Sequence, residues 1–174
     1  AKKVSATERL PYYVSMAFRH ALDGAPGPVY LEVPTDLVRR QVDDEKINFP
    51  ENYKANVVSG GDDALIEEAA DLLASAERPA VIVDDGARWS LGDDVGAIAD
   101  LSDYLKMPVG VSGNLCRGIF GNEAENPLLR TNAMGGADVV LALGCRFDFR
   151  MGSGRGIPKD AKVIQVHSDM RQIG

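Results

Sequence analysis

The stretch Ala137-Asp138-Val139-Val140-Leu141-Ala142-Leu143-Gly144-Cys145-Arg146-Phe147-Asp148 decides the fold. Its five consecutive apolar residues, Val139–Leu143, lie between an aspartate and a glycine with no polar residue among them. A strand with one wet face alternates apolar and polar residues, whereas a strand covered on both faces is apolar throughout. Three shorter segments are also mainly apolar: Ala80–Val83, Val109–Val111 and Val163–Val166. Segments of helical period separate them. Leu65, Ile66, Ala69, Leu72 and Leu73 form one stripe, with Asp62 or Asp63 as its N-cap. Ser90-Leu91-Gly92-Asp93 has the form of a capping box, opening a helix with Val95, Ile98, Leu101 and Leu105 on its apolar face. A weaker helical segment runs from about Pro127 to Met134. Apolar strands alternating with helices predict an α/β domain over residues 62–174, built on a doubly wound, mostly parallel sheet.

Upstream, residues 8–22 read as a helix: Leu10, Val14, Ala17, Phe18 and Ala21 recur at helical spacing, and Pro11 falls in the first turn, where a missing N–H costs little. Gly24-Ala25-Pro26-Gly27-Pro28 stops it. Val29–Val33 is a short apolar run bounded by prolines and reads as a strand. Between Asp36 and Gly61 no period is sustained, so residues 37–61 are expected to form a linker, with the acidic run Asp43-Asp44-Glu45 a solvated part of it. One helix and one strand over residues 1–36 are too little to bury their own apolar face. At the other end, Asp169–Gly174 begins like a helix and stops. The expectation is a chain truncated at both ends.

The 174 residues are 45% apolar and 26% charged, far from the disordered range. Nineteen basic against 26 acidic residues give a net charge of −7, which lacks the electrostatic footprint of a nucleic-acid binder. No apolar run approaches a membrane helix and no leader pattern is visible, so a cytoplasmic location is expected. Two cysteines, Cys116 and Cys145, are too few for a disulfide framework or a zinc site.

Ligands of open parallel sheets bind outside the carboxyl ends of the strands. The loops there, Asp84–Trp89, Ser112–Gly118, Gly144–Gly156 and His167–Asp169, hold Arg88, Arg117, Arg146, Arg150 and Arg155: five of twelve arginines and none of seven lysines. Guanidinium forks suit phosphate or carboxylate, and Gly86, Gly113, Gly118, Gly144, Gly152, Gly154 and Gly156 let a backbone approach a ligand closely. The arrangement reads either as the seat of an anionic, nucleotide-like cofactor or as a set of salt bridges and subunit contacts. No G-x-G-x-x-G, G-x-x-x-x-G-K-[ST] or G-x-S-x-G motif adds to it. With His20 on a helix and His167 at a strand end, no catalytic triad takes shape. Arg117 beside Cys116 is expected to lower that thiol's pKa, although each cysteine reads more simply as a small packing residue. Trp89, the single tryptophan, reads either as cover for a ligand or, more simply, as the cap of a hydrophobic edge.

Several stretches together resemble the thiamine diphosphate-dependent enzymes. Ala17-Phe18-Arg19-His20-Ala21 and Gly27-Pro28-Val29-Tyr30-Leu31-Glu32-Val33-Pro34-Thr35-Asp36 are similar to the close of their pyrimidine-binding domain. Leu72–Val83, Ala137–Asp148 and Ala161–Val166 resemble their Rossmann-like central domain. The likeness is greatest to the acetolactate synthase, benzaldehyde lyase and 2-hydroxyacyl-CoA lyase branch. The resemblance implies domains at 1–36, 37–61 (linker) and 62–174, the last incomplete. It implies a parent carboligase, lyase or decarboxylase acting on 2-oxo acids, aldehydes or acyl-CoA, a homodimer or homotetramer using thiamine diphosphate and Mg2+ that this fragment does not itself bind. Partners are then the other domains of the same subunit, with no nucleic acid and no membrane.

Some members of the family carry FAD or ADP in the central domain. The residues that match are Gly86, Arg117, Gly118, Gly144, Arg146, Asp148, Arg150 and His167, with Arg146, Asp148 and Arg150 matching an Arg-Phe-Asp-x-Arg pattern. Two departures argue against FAD: Asp84-Asp85-Gly86 stands where a glycine triplet is expected, and His167 where a ribose-binding acid is expected. No catalytic residue is expected, and the nearest string to the metal-holding Gly-Asp-Gly is Gly92-Asp93-Asp94. The alternatives are a non-catalytic module binding an ADP-, FAD- or NAD-like nucleotide, and a spacer with a degenerate pocket.

Overall fold

The computed structural model describes residues 1–54, 60–92, 94, 96–118, 120 and 127–174. The chain divides into two compact units, Ala1–Ser59 and Gly60–Gly174.

In the first unit, strand β1 (Lys2–Lys3) pairs in parallel with β2 (Leu31–Glu32). Between them runs helix α1 (Leu10–Ala21), entered through a 3-10 turn at Thr7–Arg9 and left with a Leu22 N–H bond to the Phe18 carbonyl. Helix α2 (Thr35–Val38) follows Pro34. Val4, Tyr13 and Leu37 form the buried cluster of this unit. The apolar stripe read along α1 is only half covered, with Val14 and Phe18 exposed. Beyond α2 the chain makes one 3-10 turn, Asp44–Lys46, and the Tyr53 carbonyl then accepts from Arg19 Nε at 3.0 Å. Residues 55–59 of the expected linker lie outside the described residues.

In the second unit, α3 (Asp63–Ser75) is capped by Asp62, whose Oδ1 accepts from the Ala64 N–H at 2.9 Å. Strand β3 (Pro79–Val83) leads to α4 (Asp85–Leu91), α5 (Gly96–Leu105) and β4 (Val109–Val111). Then come α6 (Pro127–Gly136), β5 (Val139–Leu143) and β6 (Lys162–Val166). The sheet is wholly parallel in the order β4-β3-β5-β6. Its two central strands are almost entirely buried, as their unbroken apolar sequence requires. Val81, Val83, Val139 and Leu141 face one cluster with Leu73, Ile98 and Met107, and Ala80, Ile82, Val140 and Ala142 face another with Met134 and Met151.

Two local expectations are corrected. Ser90 opens no helix: Ser90 and Leu91 close α4, whose earlier residues fall in the segment Asp84–Trp89 that the sequence predicts as loop. Asp84 caps that helix and Gly92, at φ +61°, ends it, with its N–H bonded to the Arg88 carbonyl. Asp93 and Val95, assigned to the expected box and stripe, lie outside the described residues. The stripe on α3 is also buried only toward its end, at Leu73, while Leu65 and Ile66 are exposed.

Candidate functional site at the carboxyl edge of the sheet

Register brings the strand ends level. Val111 pairs with Val83, Val83 with Leu143, and Leu143 with Val166, so all four strands finish in one row. The ladder continues one residue further: Ser112 N–H bonds to the Val83 carbonyl, Asp84 N–H to Leu143, and Gly144 N–H to Val166. From β3 the chain moves outward to β4, and from β4 it crosses to β5 on the other side. The topological switch point, where such sheets take ligands, is therefore the step between β3 and β5, at Asp84 and Gly144.

Glycine at this step serves packing. A Cβ on Gly86 would lie 2.5 Å from the Gly144 carbonyl oxygen, and one on Gly144 would overlap the Ala87 nitrogen. Gly144 also has φ +62°, a region that L side chains rarely adopt. The loop after β5 and the first turn of α4 are thus pressed backbone to backbone. Gly113 does the same for the loop after β4, since a Cβ there would overlap the Asp85 carboxylate and sit 2.6 Å from Asp84 Oδ1. Gly118, at φ +79°, has open space around it.

Charge fills the rest of the step. Asp84 is 1% exposed, and its Oδ1 accepts from the Asp85 N–H at 2.8 Å, capping α4. Asp85 Oδ1 accepts from the Leu115 N–H at 2.8 Å, and its Oδ2 lies 3.9 Å from Arg150 Nη1. Arg150 turns its other edge to Asp148, with Nε at 3.3 Å and Nη2 at 3.1 Å from Oδ2. The hydrogen bond to Asp148 raises the Arg150 pKa against the opposing effect of burial, and the charges of Asp84, Asp148 and Asp85 add to it. For Asp148, burial pushes the pKa up, but the side-chain and backbone bonds from Arg150 outweigh it, helped by the charges of Arg150 and Arg146, and hold the carboxyl below its ordinary range.

The structure thus brings Gly86, Gly144, Asp148 and Arg150 together at the switch point. Arg146 lies two residues beyond β5, half-buried, and its guanidinium has no hydrogen bond or ion pair among the described residues. Arg117 is exposed on the loop after β4, and Arg155 on the loop after β5. Arg88 is turned to the Gly92 carbonyl at the end of its own helix. His167 follows β6, and its Nδ1 accepts from the Asp169 N–H at 2.9 Å, which places its proton on Nε2. Sequence reasoning treated Asp84 and Asp85 only as repulsive and missed them as partners; a cap aspartate seven residues before the α4 end was the available signal. It missed Ser112 as well, whose hydroxyl is buried without a partner among the described residues.

The expectation for Cys116 is corrected. Burial raises its pKa, the Asp85 charge raises it further, and the counteracting contributions come from Arg88 rather than from the exposed Arg117. Cys145 is also pushed far up, first by burial and then by the charge of Asp84. Both thiols are buried and lean on backbone carbonyls, Cys116 on Asp84 and Cys145 on Ile82, so both are packing residues. Among the described residues no three His, Cys, Asp or Glu side chains gather as metal ligands, and no helix is long and apolar enough to cross a membrane.

The family described as thiamine pyrophosphate enzyme, central domain, matches residues 66–174. A probable acetolactate synthase large subunit of Methanocaldococcus jannaschii is 30% identical over 191 positions, covering 99% of this chain and 31% of that protein. A 2-hydroxyacyl-CoA lyase 1 of Mus musculus is 26% identical, covering 98% of this chain and 29% of that protein. A sulfoacetaldehyde acetyltransferase of Roseovarius nubinhibens is 35% identical over 165 positions, covering 84% of this chain and 25% of that protein. The chain spans less than a third of the length of these curated relatives. With a parallel sheet of this topology and a match over most of its second unit, the chain belongs to the thiamine pyrophosphate enzymes and carries their central domain.

Proposed function

We propose that this chain is the architectural part of a thiamine pyrophosphate-dependent carboligase, lyase or decarboxylase acting on 2-oxo acids, aldehydes or acyl-CoA. Residues 1–36 close a pyrimidine-binding domain, 37–61 link, and 62–174 form the central domain. The names of the relatives, a synthase, a lyase and an acetyltransferase, support a parent that makes or breaks carbon–carbon bonds. The residues described do not fit thiamine diphosphate or its Mg2+. No Gly-Asp-Gly string occurs in the sequence and no ligand trio gathers among the described residues, so no step of the reaction is assigned to them. The observation that carries the architectural reading is the self-paired switch point, where Asp84 caps α4 and Arg150 is shared by Asp148 and Asp85. A flavin diphosphate would meet two carboxylates there.

The test is made on the full-length protein that contains this chain. The reading expects thiamine diphosphate-dependent conversion of a 2-oxo acid, an aldehyde or an acyl-CoA, with no flavin band in the absorbance spectrum. A yellow protein, or one indifferent to thiamine diphosphate, refutes it. A second reading is favoured by Arg146, a half-buried cation without a bonded partner among the described residues. In it the edge holds ADP as a non-redox ligand, with Arg117, Gly118 and His167 around it, and Arg146→Ala weakens ADP by about 10- to 150-fold. Unchanged affinity in that variant refutes the second reading alone.

A further inference from the structure

Four features meet at one carboxylate. Asp85 Oδ1 takes the Leu115 N–H at 2.8 Å, and Asp85 Oδ2 faces the Arg150 guanidinium at 3.9 Å. The carboxylate lies over the bare face of Gly113, filling the volume in which a side chain would stand. All of this sits at the switch point of a parallel sheet, the place where an anionic ligand would find backbone N–H groups and a guanidinium. The carboxylate is only partly exposed, with side-chain accessibilities of 20% for Asp85 and 30% for Arg150, so the pair is incompletely screened.

We propose that Asp85 is a built-in anion: its carboxylate occupies the anion subsite formed by the Leu115 N–H and Arg150 above Gly113, and keeps phosphorylated ligands out of the crevice. The inference rests on reading the carboxyl edge as self-paired, and it adds what the pairing does. Asp84 has a separate part, since its carboxylate is spent on the cap of α4 and is buried beneath the step. Arg150 is held from its other side by Asp148, so it stays aimed at the subsite when Asp85 is removed. The subsite is preformed and plugged.

The experiment uses the 174-residue chain, with ADP as probe in calorimetric titration and Leu115 amide shifts as a local readout. Asp85→Ala removes the plug and leaves a good helix former at the first position of α4. Its affinity for ADP should exceed that of the wild type by about 10-fold or more. The Leu115 amide should move on titration in the variant only, and adding Arg150→Gln should abolish the gain. Trp89 emission and far-UV circular dichroism matching the wild type show that the variant is folded. A folded Asp85→Ala that binds ADP no tighter than wild type overturns the proposal, as does a gain that survives Arg150→Gln. Should Asp85→Ala not fold, Asp85→Ser keeps a polar residue at the start of α4 but is too short to fill the subsite, and unchanged ADP affinity in that folded variant overturns the proposal equally. A gain in Asp85→Ala stands whether or not the parent enzyme depends on thiamine diphosphate, so the two readings fail separately.

Discussion

Gly144→Ala, compared with Gly152→Ala, separates two costs that a left-handed glycine can carry. Both residues have nearly the same φ, +62° and +58°, so both variants bear the left-handed penalty of about 1–2 kcal/mol. They differ in their surroundings. A Cβ on Gly152 meets nothing within 4 Å, whereas one on Gly144 overlaps the Ala87 nitrogen and sits 2.7 Å from the Gly86 Cα, where only backbone can give way. Forcing a methyl into a packed step costs about 1–3 kcal/mol more, making roughly 2–5 kcal/mol for Gly144→Ala. Urea unfolding followed by the emission of Trp89, the single tryptophan and part of α4, reads this unit directly. With a slope on the order of 2 kcal/mol/M, the Gly144→Ala midpoint should fall about 0.5–1.5 M below that of Gly152→Ala. Coincident midpoints would refute the packing argument, leaving φ as the whole reason for glycine at 144.

Lys106, exposed at φ +53°, is the left-handed residue that ends α5, where the Met107 N–H bonds back to the Ser102 carbonyl. Lys106→Gly removes a penalty of about 1–2 kcal/mol and costs about 0.5–1 kcal/mol in chain entropy, a net gain of up to about 1.5 kcal/mol, so the thermal midpoint should not fall and should rise by up to about 6 °C. Asp148 is held below the ordinary carboxylate value of 3.8. Its contribution is therefore complete above that value and is lost as pH falls through the lower folded one, because the unfolded chain takes up the proton first. Between pH 5 and pH 3 the urea midpoint of the wild type should drop further than that of Asp148→Asn; parallel curves would count against the Arg150 pairing.

The central strands β3 and β5 were legible because burial on both faces leaves an uninterrupted apolar run, and Val139–Leu143 and Val109–Val111 begin and end where their apolar residues do. Pro79 and Lys162 were not legible as strand residues, since they join the sheet through backbone pairing alone. Helix α4 escaped because Asp85–Leu91 makes too few turns for a period to show, and its ends are marked only by the Asp84 cap and Gly92. At the site, register could be inferred from strand ends, so Gly144 and Arg146 were correctly located in the chain after β5. The pairing of Arg150 with Asp85 joins residues 65 positions apart, one opening α4 and one in the segment after β5, and no local pattern encodes it. Cys116 shows the converse error: its sequence neighbour Arg117 is exposed and does not contribute, and burial and Asp85 decide its chemistry.

The alternation of side chains along β3 and β5 has a consequence for how the second unit comes apart. Val81 and Val83 serve one apolar cluster and Ala80 and Ile82 the other; Val139 and Leu141 are likewise divided from Val140 and Ala142. Neither layer can melt while the other stays intact, because the same two strands would have to be both in place and absent. Val81 reaches Val109 across 28 positions of chain and Leu141 across 60, so the layers also close through one shared, long-range event. Backbone amides bonded between β3 and β5 therefore exchange with solvent only through opening of the whole unit, while β6, with Val163 and Val166 half uncovered, frays on its own at lower free energy. The central strand pair couples the two layers into a single cooperative body.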